Sequence, residues 1–303
     1  MKTTRISAWV AAGLVVGTAL FTACSKSDDT PSLPPIGGYN SSNEVAATNL
    51  LAHWTFDGTN NERISGTAPT KASNATFTTG ASGKGQALQL NSGYVLYPSI
   101  AKLNTANGLS SFTVSTWVNT TNNGSKSSEI FSLTSPTATD WGQMINLLVE
   151  TGQKKASSDT LILKGLLGQY SSGTRVGHDN VNSGGAADAG TKYQVVRKAG
   201  SWIHYVMTYD ASTSRIVLYA NGSKVSNTDY ELRADGKLGA LVFPVPQQVL
   251  IGAFPNVDSG FPTSANQVWQ GMFNGSIDEL RVYGKTLSST DIGYLYQLES
   301  AGR

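Results

Sequence analysis

The chain has 303 residues with 22 basic and 20 acidic side chains and a single cysteine. This balance, without clusters of Lys or Arg, lacks the electrostatic footprint of a nucleic-acid-binding protein. A single cysteine excludes an internal disulfide framework, so the fold must be stabilised by burial of apolar side chains. A chain of this length can form a sizeable hydrophobic core.

The N-terminus has the pattern of an export signal. Lys2 and Arg5 precede an apolar run over residues 8–21, which ends at Thr22-Ala23-Cys24. A basic start, a short apolar core and small residues before a cleavage point predict a signal peptide at 1–23. Its end resembles a bacterial lipobox, with Cys24 as the lipid attachment residue. Phe21 stands where Leu is usual, and an ordinary signal peptide is the alternative.

The segment after Cys24 is polar and short of residues to bury. Ser25-Lys26-Ser27-Asp28-Asp29 resembles the acidic signals that direct lipoproteins to the outer face of the Gram-negative outer membrane. Pro, Ser, Gly and Asn dominate residues 30–43, so we expect a flexible tether over 24–48 and one domain over 49–303. We therefore expect an outer-membrane lipoprotein exposed at the cell surface.

Short apolar runs separated by turn dipeptides predict an all-β domain. Two long insertions, at 134–198 and 230–248, are places where function often resides. A capping box at Ser288-Ser289-Thr290-Asp291 predicts a short C-terminal helix. In chain order, the predicted strands are 50–56, 80–90, 94–98, 111–118, 144–149, 161–169, 193–197, 202–209, 215–219, 249–252 and 273–283.

The last predicted strand, Phe273–Tyr283, mixes charged and apolar residues on both faces. Strict alternation would place Ile277 and Arg281 on one side and Asp278 and Leu280 on the other. Because a buried carboxylate without a partner is very costly, Asp278 needs a hydrogen-bond donor or a cation.

Several stretches resemble the concanavalin A-like lectin/glucanase superfamily, including its laminin-G-like domains. The resemblance covers nearly the whole domain and implies a two-sheet antiparallel β-sandwich, a jelly roll, with a short C-terminal helix. Its landmarks are the aromatic-Asp-Gly end of the first strand at 56–58, the glycine-rich entry at 80–90, the Ser-Phe-Thr-Val-x-x-Trp-Val strand at 111–118, and the closing strand with its following Gly-Lys-Thr-Leu-Ser at 273–288.

The same resemblance implies a structural calcium ion between the first and last strands. Asp57 and Asp278 occupy the matching positions. Calcium takes six to eight oxygen ligands, which two carboxylates, backbone carbonyls and water can supply. The alternative is that Asp57 caps its own turn and Asp278 pairs with Arg281 or with a backbone N–H.

Motifs for catalysis are missing. The glucanase relatives carry Glu-x-Asp-x-x-Glu on one strand, a pattern that does not occur here. Asp229 and Glu231 could share a face, but the polar residues around them favour a solvated hairpin edge. Trp202-Ile203-His204 has Trp where related lyases have Gln, so we expect His204 to be a hydrogen-bonded strand residue.

Sugar binding requires less of a sequence than catalysis. Sugar rings present apolar C–H faces to exposed aromatic side chains, while nearby amides and hydroxyls bind their hydroxyl groups. Trp141, Tyr170 and Trp269 lie in predicted loops or at strand ends beside such groups and are the predicted carbohydrate-binding residues. The alternative for each is packing over an end of the core.

We therefore predict a non-catalytic, lectin-like surface lipoprotein that captures an oligosaccharide or polysaccharide. Its expected partners are a carbohydrate ligand, an outer-membrane lipid anchor, and glycan importers or glycosidases, with no nucleic acid. One alternative is a glycoside hydrolase or polysaccharide lyase, for which two facing carboxylates in a groove would argue. A second is a protein-binding adhesion or assembly module. A jelly roll alone does not decide among them.

Overall fold

The computed structural model describes residues 33–303 except Lys84, Ala106, Ser172 and Gly173. The predicted signal peptide, Cys24 and the acidic segment after it lie outside the described residues. The elements are β1 (Leu50–Trp54), β2 (Lys71–Thr79), β3 (Gln86–Leu96), β4 (Phe112–Thr120), β5 (Ser127–Thr134), β6 (Ile145–Val149), β7 (Thr160–Leu161), β8 (Leu163–Ser171), β9 (Thr174–Val181), β10 (Val196–Arg197), β11 (Ile203–Asp210), β12 (Arg215–Ala220), β13 (Ser223–Lys224), β14 (Gln248–Ile251), β15 (Gln270–Gly271), β16 (Phe273–Tyr283) and α1 (Ser289–Ser300).

Nearly all strands belong to one curled, mainly antiparallel sheet. Its order is β13-β12-β11-β4-β16-β3-β14-β5-β6-β8-β9, with β1 beside β16, β2 beside β3 and β15 parallel to β5. Strands β7 and β10 form a separate two-stranded sheet. One apolar cluster contains side chains of β4, β11 and β16 together with those of β5, β6 and β8. The curled sheet thus encloses its core as a sandwich, which confirms the predicted fold class.

Alternation in the central strands decides what faces this core. Phe112, Val114 and Val118 of β4 belong to the apolar cluster, as predicted, and Ile203 and Tyr205 of β11 join them. The intervening residues of both strands face the other side of the sheet, where α1 packs. The period-two pattern was therefore a reliable guide in these strands.

Strand β16 departs from simple alternation because it contains a β-bulge at Glu279. The φ angle of Glu279 is +47°, and the pairing with β4 shifts register between Asp278 and Arg281. One extra residue at a bulge reverses the faces that follow. Ile277 and Leu280 both pack in the core, whereas Arg281 faces α1. The expectation that Leu280 shares a face with Asp278 is therefore wrong.

Helix α1 closes the outer face of the sheet. Ser288 is its N-cap, whose Oγ accepts a hydrogen bond from the backbone N–H of Asp291 at 3.0 Å, as the capping box predicted. Its apolar side packs on the sheet through Ile292, Leu295 and Leu298. This helix carries Glu299 into the interior beneath the sheet, where it meets Arg281.

Residues 35–48 are part of the compact unit, which spans Pro35–Arg303. Ser42 and Val45 are buried, and the backbone N–H of Ser42 donates to the carbonyl of Arg303 at 3.0 Å. Arg281 also donates to the Ser42 hydroxyl at 3.1 Å. Residues 35–48 therefore belong to the folded unit and not to the flexible tether expected over 24–48. Hydrogen bonds fix this segment, although its own composition is poor in apolar residues.

Candidate functional site

Two loops cover one face of strands β5 and β6. The first, 135–143, joins these strands, and the second, 252–269, joins β14 to β15. They are tied together by the Thr263 hydroxyl, which donates to the carbonyl of Ala138 at 2.6 Å. A further bond, from the backbone N–H of Ser127 to the carbonyl of Trp269 at 2.8 Å, fixes the end of the second loop beside β5.

Trp141 and Trp269 meet where these two loops touch. Their ring centroids are 4.9 Å apart and the rings are nearly perpendicular, at 82°. Phe254 lies beneath both, with centroids 5.9 Å from Trp141 and 5.1 Å from Trp269. Phe254 is buried, but both tryptophans are partly exposed. The edge-to-face packing on Phe254 fixes the orientation of the two indoles.

The two indoles line a cavity of about 370 Å³, which we call the tryptophan cavity. Its other walls come from the 125–127 turn, the loop after β6 and strand β8. They contribute Ser125, Ser127, Glu150, Gly152, Gln153 and Lys164. Aromatic faces beside hydroxyl, amide and charged groups, in a cavity of this size, form a typical small-ligand site.

The polar wall of the tryptophan cavity is built around Glu150. Its carboxylate accepts a short hydrogen bond from the Ser127 hydroxyl and lies 3.6 Å from the ammonium of Lys164. Lys164 also pairs with Asp179 at 3.1 Å. These contacts hold Lys164 and Glu150 in fixed positions beside the indoles.

Sequence reasoning missed Glu150, Lys164 and Ser127 as site residues. The only available signal was their position in or directly beside strands. Lys164 lies between the core residue Leu163 and the buried Gly165, and Glu150 directly follows β6. Such a signal identifies outward-facing polar residues without indicating that loops will cover them.

Tyr170 lies outside the tryptophan cavity as the structure defines it. It is partly buried against the edge of the core, at the end of β8 and opposite Arg175. Burial raises the pKa of its hydroxyl, against the opposing effect of Arg175, while Asp140 in the neighbouring loop raises it further. Thus the structure brings two of the three predicted sugar-binding aromatics together and places Tyr170 behind the same loop.

Glu129 is a second carboxylate, close enough to Glu150 for the two charges to interact. It is completely buried, and its Oε1 accepts a hydrogen bond from the Asn146 amide at 2.9 Å. Burial raises its pKa well above the ordinary value, and the charge of Glu150 adds to this against the Asn146 hydrogen bond. Because Glu129 does not line the tryptophan cavity, it is not placed to act on a bound sugar together with Glu150.

The other sequence candidates for catalysis have structural partners. Glu231 is buried and accepts from the Ser226 hydroxyl at 2.8 Å, while its neighbour Asp229 pairs with Lys192 at 2.8 Å. His204 is fully buried, and its Nε2 lies 2.7 Å from the Ser115 hydroxyl oxygen. All three side chains thus have contacts that account for them without catalysis.

Asp57 and Asp278 line a separate cavity of about 310 Å³ beside the bulge of β16. Asp278 is 3% exposed, and its two carboxylate oxygens accept backbone N–H groups of Ala81 and Glu279, each at 2.8 Å. Asp57 is exposed and accepts from the backbone N–H of Gln86 at 2.7 Å. Strands β1 and β16 are neighbours in the sheet, and both carboxylates accept hydrogen bonds from the glycine-rich segment 80–90.

Both aspartates of the predicted calcium site line this cavity. The pKa of Asp278 is raised to about 8, chiefly by burial; the charges of Glu279 and Asp57 contribute to the rise, and the two backbone hydrogen bonds oppose it. Such a site favours a cation, and its two carboxylates are oxygen ligands of the kind calcium takes. Gly85 packs so closely that an added Cβ would lie 2.1 Å from Asp57 Oδ1. Asp57 and Asp278 would be the side-chain ligands.

Two features are absent from the part of the chain that the structure describes. Within it, no group of three or more His, Cys, Asp or Glu side chains is arranged to hold a metal ion. A calcium site here would therefore depend on backbone carbonyls and water as well as on the aspartates. Nor does any helix among the described residues have the length and hydropathy needed to span a bilayer.

Comparison with solved structures gives several jelly-roll domains of the same fold. The binding domain of Paraclostridial Mosquitocidal Protein 1 is 13% identical, with a TM-score of 0.53 over 82% of this chain and 52% of that one. The binding domain of botulinum neurotoxin DC in complex with SialylT is 12% identical, with a TM-score of 0.50 over 82% and 50%. This chain thus spans about half the length of these toxin domains.

Another similar structure is domain 4 of AbnA, a GH43 extracellular arabinanase from Geobacillus stearothermophilus, in complex with arabinotriose. It is 17% identical, with a TM-score of 0.50 over 82% of this chain and 98% of that domain. At these identities the likeness establishes the fold, which carbohydrate-binding domains share. No curated protein matches the chain.

A family model described as the concanavalin A-like lectin/glucanases superfamily, Laminin_G_3, matches residues 89–293. The match covers more than half of the chain and includes β4 and β16, which carry two of the four landmarks of the sequence resemblance. The chain therefore belongs to the concanavalin A-like lectin/glucanases superfamily.

Proposed function

We propose that this protein is a non-catalytic carbohydrate-binding protein that holds an oligosaccharide in the tryptophan cavity. The observation that carries the proposal is the pair of partly exposed indoles, Trp141 and Trp269, fixed on Phe254 and facing a cavity with polar walls. An indole face offers stacking area at little entropic cost, because the packing has already ordered it. Ser127, Lys164 and Gln153 supply hydrogen-bonding groups around that area.

Similar folds in complex with sugars support this assignment. Domain 4 of AbnA is in complex with arabinotriose, and the neurotoxin DC binding domain is in complex with SialylT. Neither comparison identifies the ligand of this chain. The stacking and hydrogen-bonding groups of its own cavity support a glycan, since a sugar ring combines apolar C–H faces with hydroxyl groups.

The environment of the carboxylates favours binding over hydrolysis. A glycosidase needs two carboxyl groups that flank the scissile bond. In the tryptophan cavity Glu150 is tied to Ser127 and Lys164, and Glu129 lies buried behind the wall. Polysaccharide capture without cleavage is consistent with the proposed location at the cell surface through lipid on Cys24, where importers and glycosidases would process the captured chain.

We further propose that calcium bound by Asp57 and Asp278 has a structural role. The ion would neutralise the buried Asp278 carboxylate and hold the first strand, the glycine-rich segment and β16 together. Because this cavity and the tryptophan cavity share no lining residue, the ion would not contact the sugar.

The test is binding of residues 35–303 to a panel of immobilised glycans, with release of reducing ends measured in parallel. We expect retention on at least one glycan without product release. Trp141→Ala or Trp269→Ala should weaken binding about 30-fold or more, the cost of losing an aromatic anchor of about 2 kcal/mol. Phe77→Ala, which removes an exposed aromatic from β2, is the matched control and should bind normally.

Two results would contradict the proposal. Equal binding by both tryptophan variants and the wild type would place the site elsewhere. Reducing ends that appear with the wild type and vanish with Glu150→Gln would instead establish a hydrolase.

A further inference from the structure

A second cavity of about 410 Å³ lies across strand β15 from the tryptophan cavity. The short segment 269–271 separates them: Trp269 lines the tryptophan cavity, whereas Gln270 and Gly271 line the second. Ser125, on the turn before β5, lines both. The two cavities are therefore adjacent and meet at one turn.

The second cavity, which we call the amide cavity, has walls of hydroxyl and amide groups. They come from the end of β4, the turn before β5, the loop after β14, strand β15 and the start of β16. The polar members include Thr121, Asn123, Ser125, Asn256, Gln270 and Asn274. Hydroxyl and amide groups both donate and accept hydrogen bonds, as sugar hydroxyl groups do.

Gln270, which lines this cavity, has a buried side-chain donor without a partner. The residue is 6% exposed, and its Oε1 accepts from the Asn256 side-chain amide at 2.7 Å and from the backbone N–H of Gln267 at 3.1 Å. These two donors fix the amide orientation, so the remaining group is the Nε2 donor. Nε2 is buried and has no hydrogen-bond partner among the described residues. An unpaired buried donor is costly, and a ligand acceptor would satisfy it.

Charge identifies the class of ligand. The amide cavity has one cation and one anion in its lining, Lys126 and Asp258. The tryptophan cavity likewise has one of each, Lys164 and Glu150, and Lys164 already pairs with Asp179 as well. Among the residues that the structure describes, neither cavity lining has the unpaired cationic cluster that a uronate, sialate or sulfate group would need for charge compensation.

We propose that the amide cavity is a second subsite, so that one neutral oligosaccharide stacks on Trp141 and Trp269 and continues past Ser125 into the amide cavity. This inference rests on the proposed function and specifies its ligand as an uncharged glycan longer than one cavity holds. The tryptophan cavity supplies stacking contacts, and the amide cavity supplies hydrogen bonds that select for the arrangement of the sugar's hydroxyl groups.

The experiment is calorimetric titration of residues 35–303 with linear arabino-, xylo-, cello- and malto-oligosaccharides, each from the disaccharide to the hexasaccharide. Oligogalacturonides of matched length serve as acidic probes. Affinity for the preferred neutral series should rise with length until both cavities are filled, and the acidic series should bind more weakly at every length.

Variants on the exposed rim separate the two subsites. Thr121→Ala and Asn274→Ala each remove a polar group from the amide cavity without touching the tryptophans. Each should reduce affinity for the longest oligosaccharide about 3- to 10-fold, the effect of one hydrogen bond, and leave the shortest binding ligand unchanged. Asn61→Ala, an exposed asparagine outside both cavities, is the matched control and should change neither.

The outcomes distinguish this inference from the proposed function. Affinity independent of length, or variants that weaken short and long ligands alike, would overturn the second subsite while leaving the tryptophan cavity in place. Tighter binding of the acidic series would overturn the neutral ligand class. If no oligosaccharide of any length binds the wild type, the proposed function fails and this inference fails with it.

Discussion

Replacing Arg281 by Met tests the buried charge network that joins β16 to α1 and to the N-terminal segment. Arg281 is 1% exposed. Its guanidinium donates to Glu299 at 2.9 Å, to Glu279 at 2.6 Å and to the Asn43 side chain at 3.1 Å. Glu299 in turn accepts from the Trp117 indole N–H at 2.7 Å. Methionine would fill much of the space but leave two carboxylates without their cation.

The expected loss of stability follows from the burial of Glu299. Removing one partner of a buried ion pair costs about 3–5 kcal/mol, because the remaining charge stays desolvated. Most domains have about 5–15 kcal/mol of stability, so the variant should fold but unfold at much lower urea concentration. Arg197→Met, which breaks the exposed pair with Asp159 at 3.2 Å, should cost less than about 1 kcal/mol and is the control.

The loss should also depend on pH. Burial raises the pKa of Glu299 to about 7, and Arg281 is the main group that opposes this rise. Without Arg281 the pKa of Glu299 rises further. A carboxyl whose folded pKa exceeds its unfolded value loses stability as pH rises between the two. The destabilisation of the variant relative to the wild type should therefore be larger near pH 8 than near pH 6, by about 1 kcal/mol.

Urea unfolding followed by tryptophan fluorescence measures these free energies. The double variant Arg281→Met/Glu299→Gln removes the uncompensated charge, so it should be more stable than the sum of the single changes by at least about 1 kcal/mol. An Arg281→Met variant within about 1 kcal/mol of the wild type, or strictly additive changes, would refute the assigned role of the network.

Three further predictions concern the calcium site and the anchor. Calcium at about a hundredfold excess over its dissociation constant should stabilise the domain by about 2.7 kcal/mol in thermal unfolding. The stabilisation should be larger at pH 8 than at pH 6, because the pKa of Asp278 is about 8 and the carboxyl must lose its proton to bind the ion. Asp278→Asn should abolish this response to calcium. Gly85→Ala should cost about 1 kcal/mol more than Gly190→Ala in urea unfolding, since both residues have positive φ but only Gly85 contacts Asp57; equal costs would contradict that contact. Cys24→Ala should abolish incorporation of labelled palmitate and release the protein from the membrane fraction, whereas continued labelling would contradict the lipid anchor.

Sequence patterns predicted the fold well where apolar residues alternate. Strands β4 and β11 follow the period-two rule along their length, so their core faces were evident. Strand β2 was missed because most of its residues are polar and none is fully buried, so the strand shows no regular apolar alternation. Strand β5 was missed for the opposite reason, since all eight of its residues are buried and several are polar.

The candidate site was only partly predictable because it depends on contacts between distant loops. Trp141 and Trp269 were each identified as exposed aromatics, but their contact is set by the tie between Thr263 and Ala138. The backbone bulge at Glu279 was equally hidden, since a non-glycine residue with positive φ carries no sequence signal. Local patterns fix what a strand buries, whereas tertiary hydrogen bonds fix what the loops bring together.

The most direct test of carbohydrate binding is a crystal structure of residues 35–303 with the preferred oligosaccharide bound. We predict that a sugar ring lies in van der Waals contact with Trp141 or Trp269, with carbon atoms about 3.5–4.0 Å apart. A sugar bound elsewhere on the domain, with the tryptophan cavity empty, would contradict it.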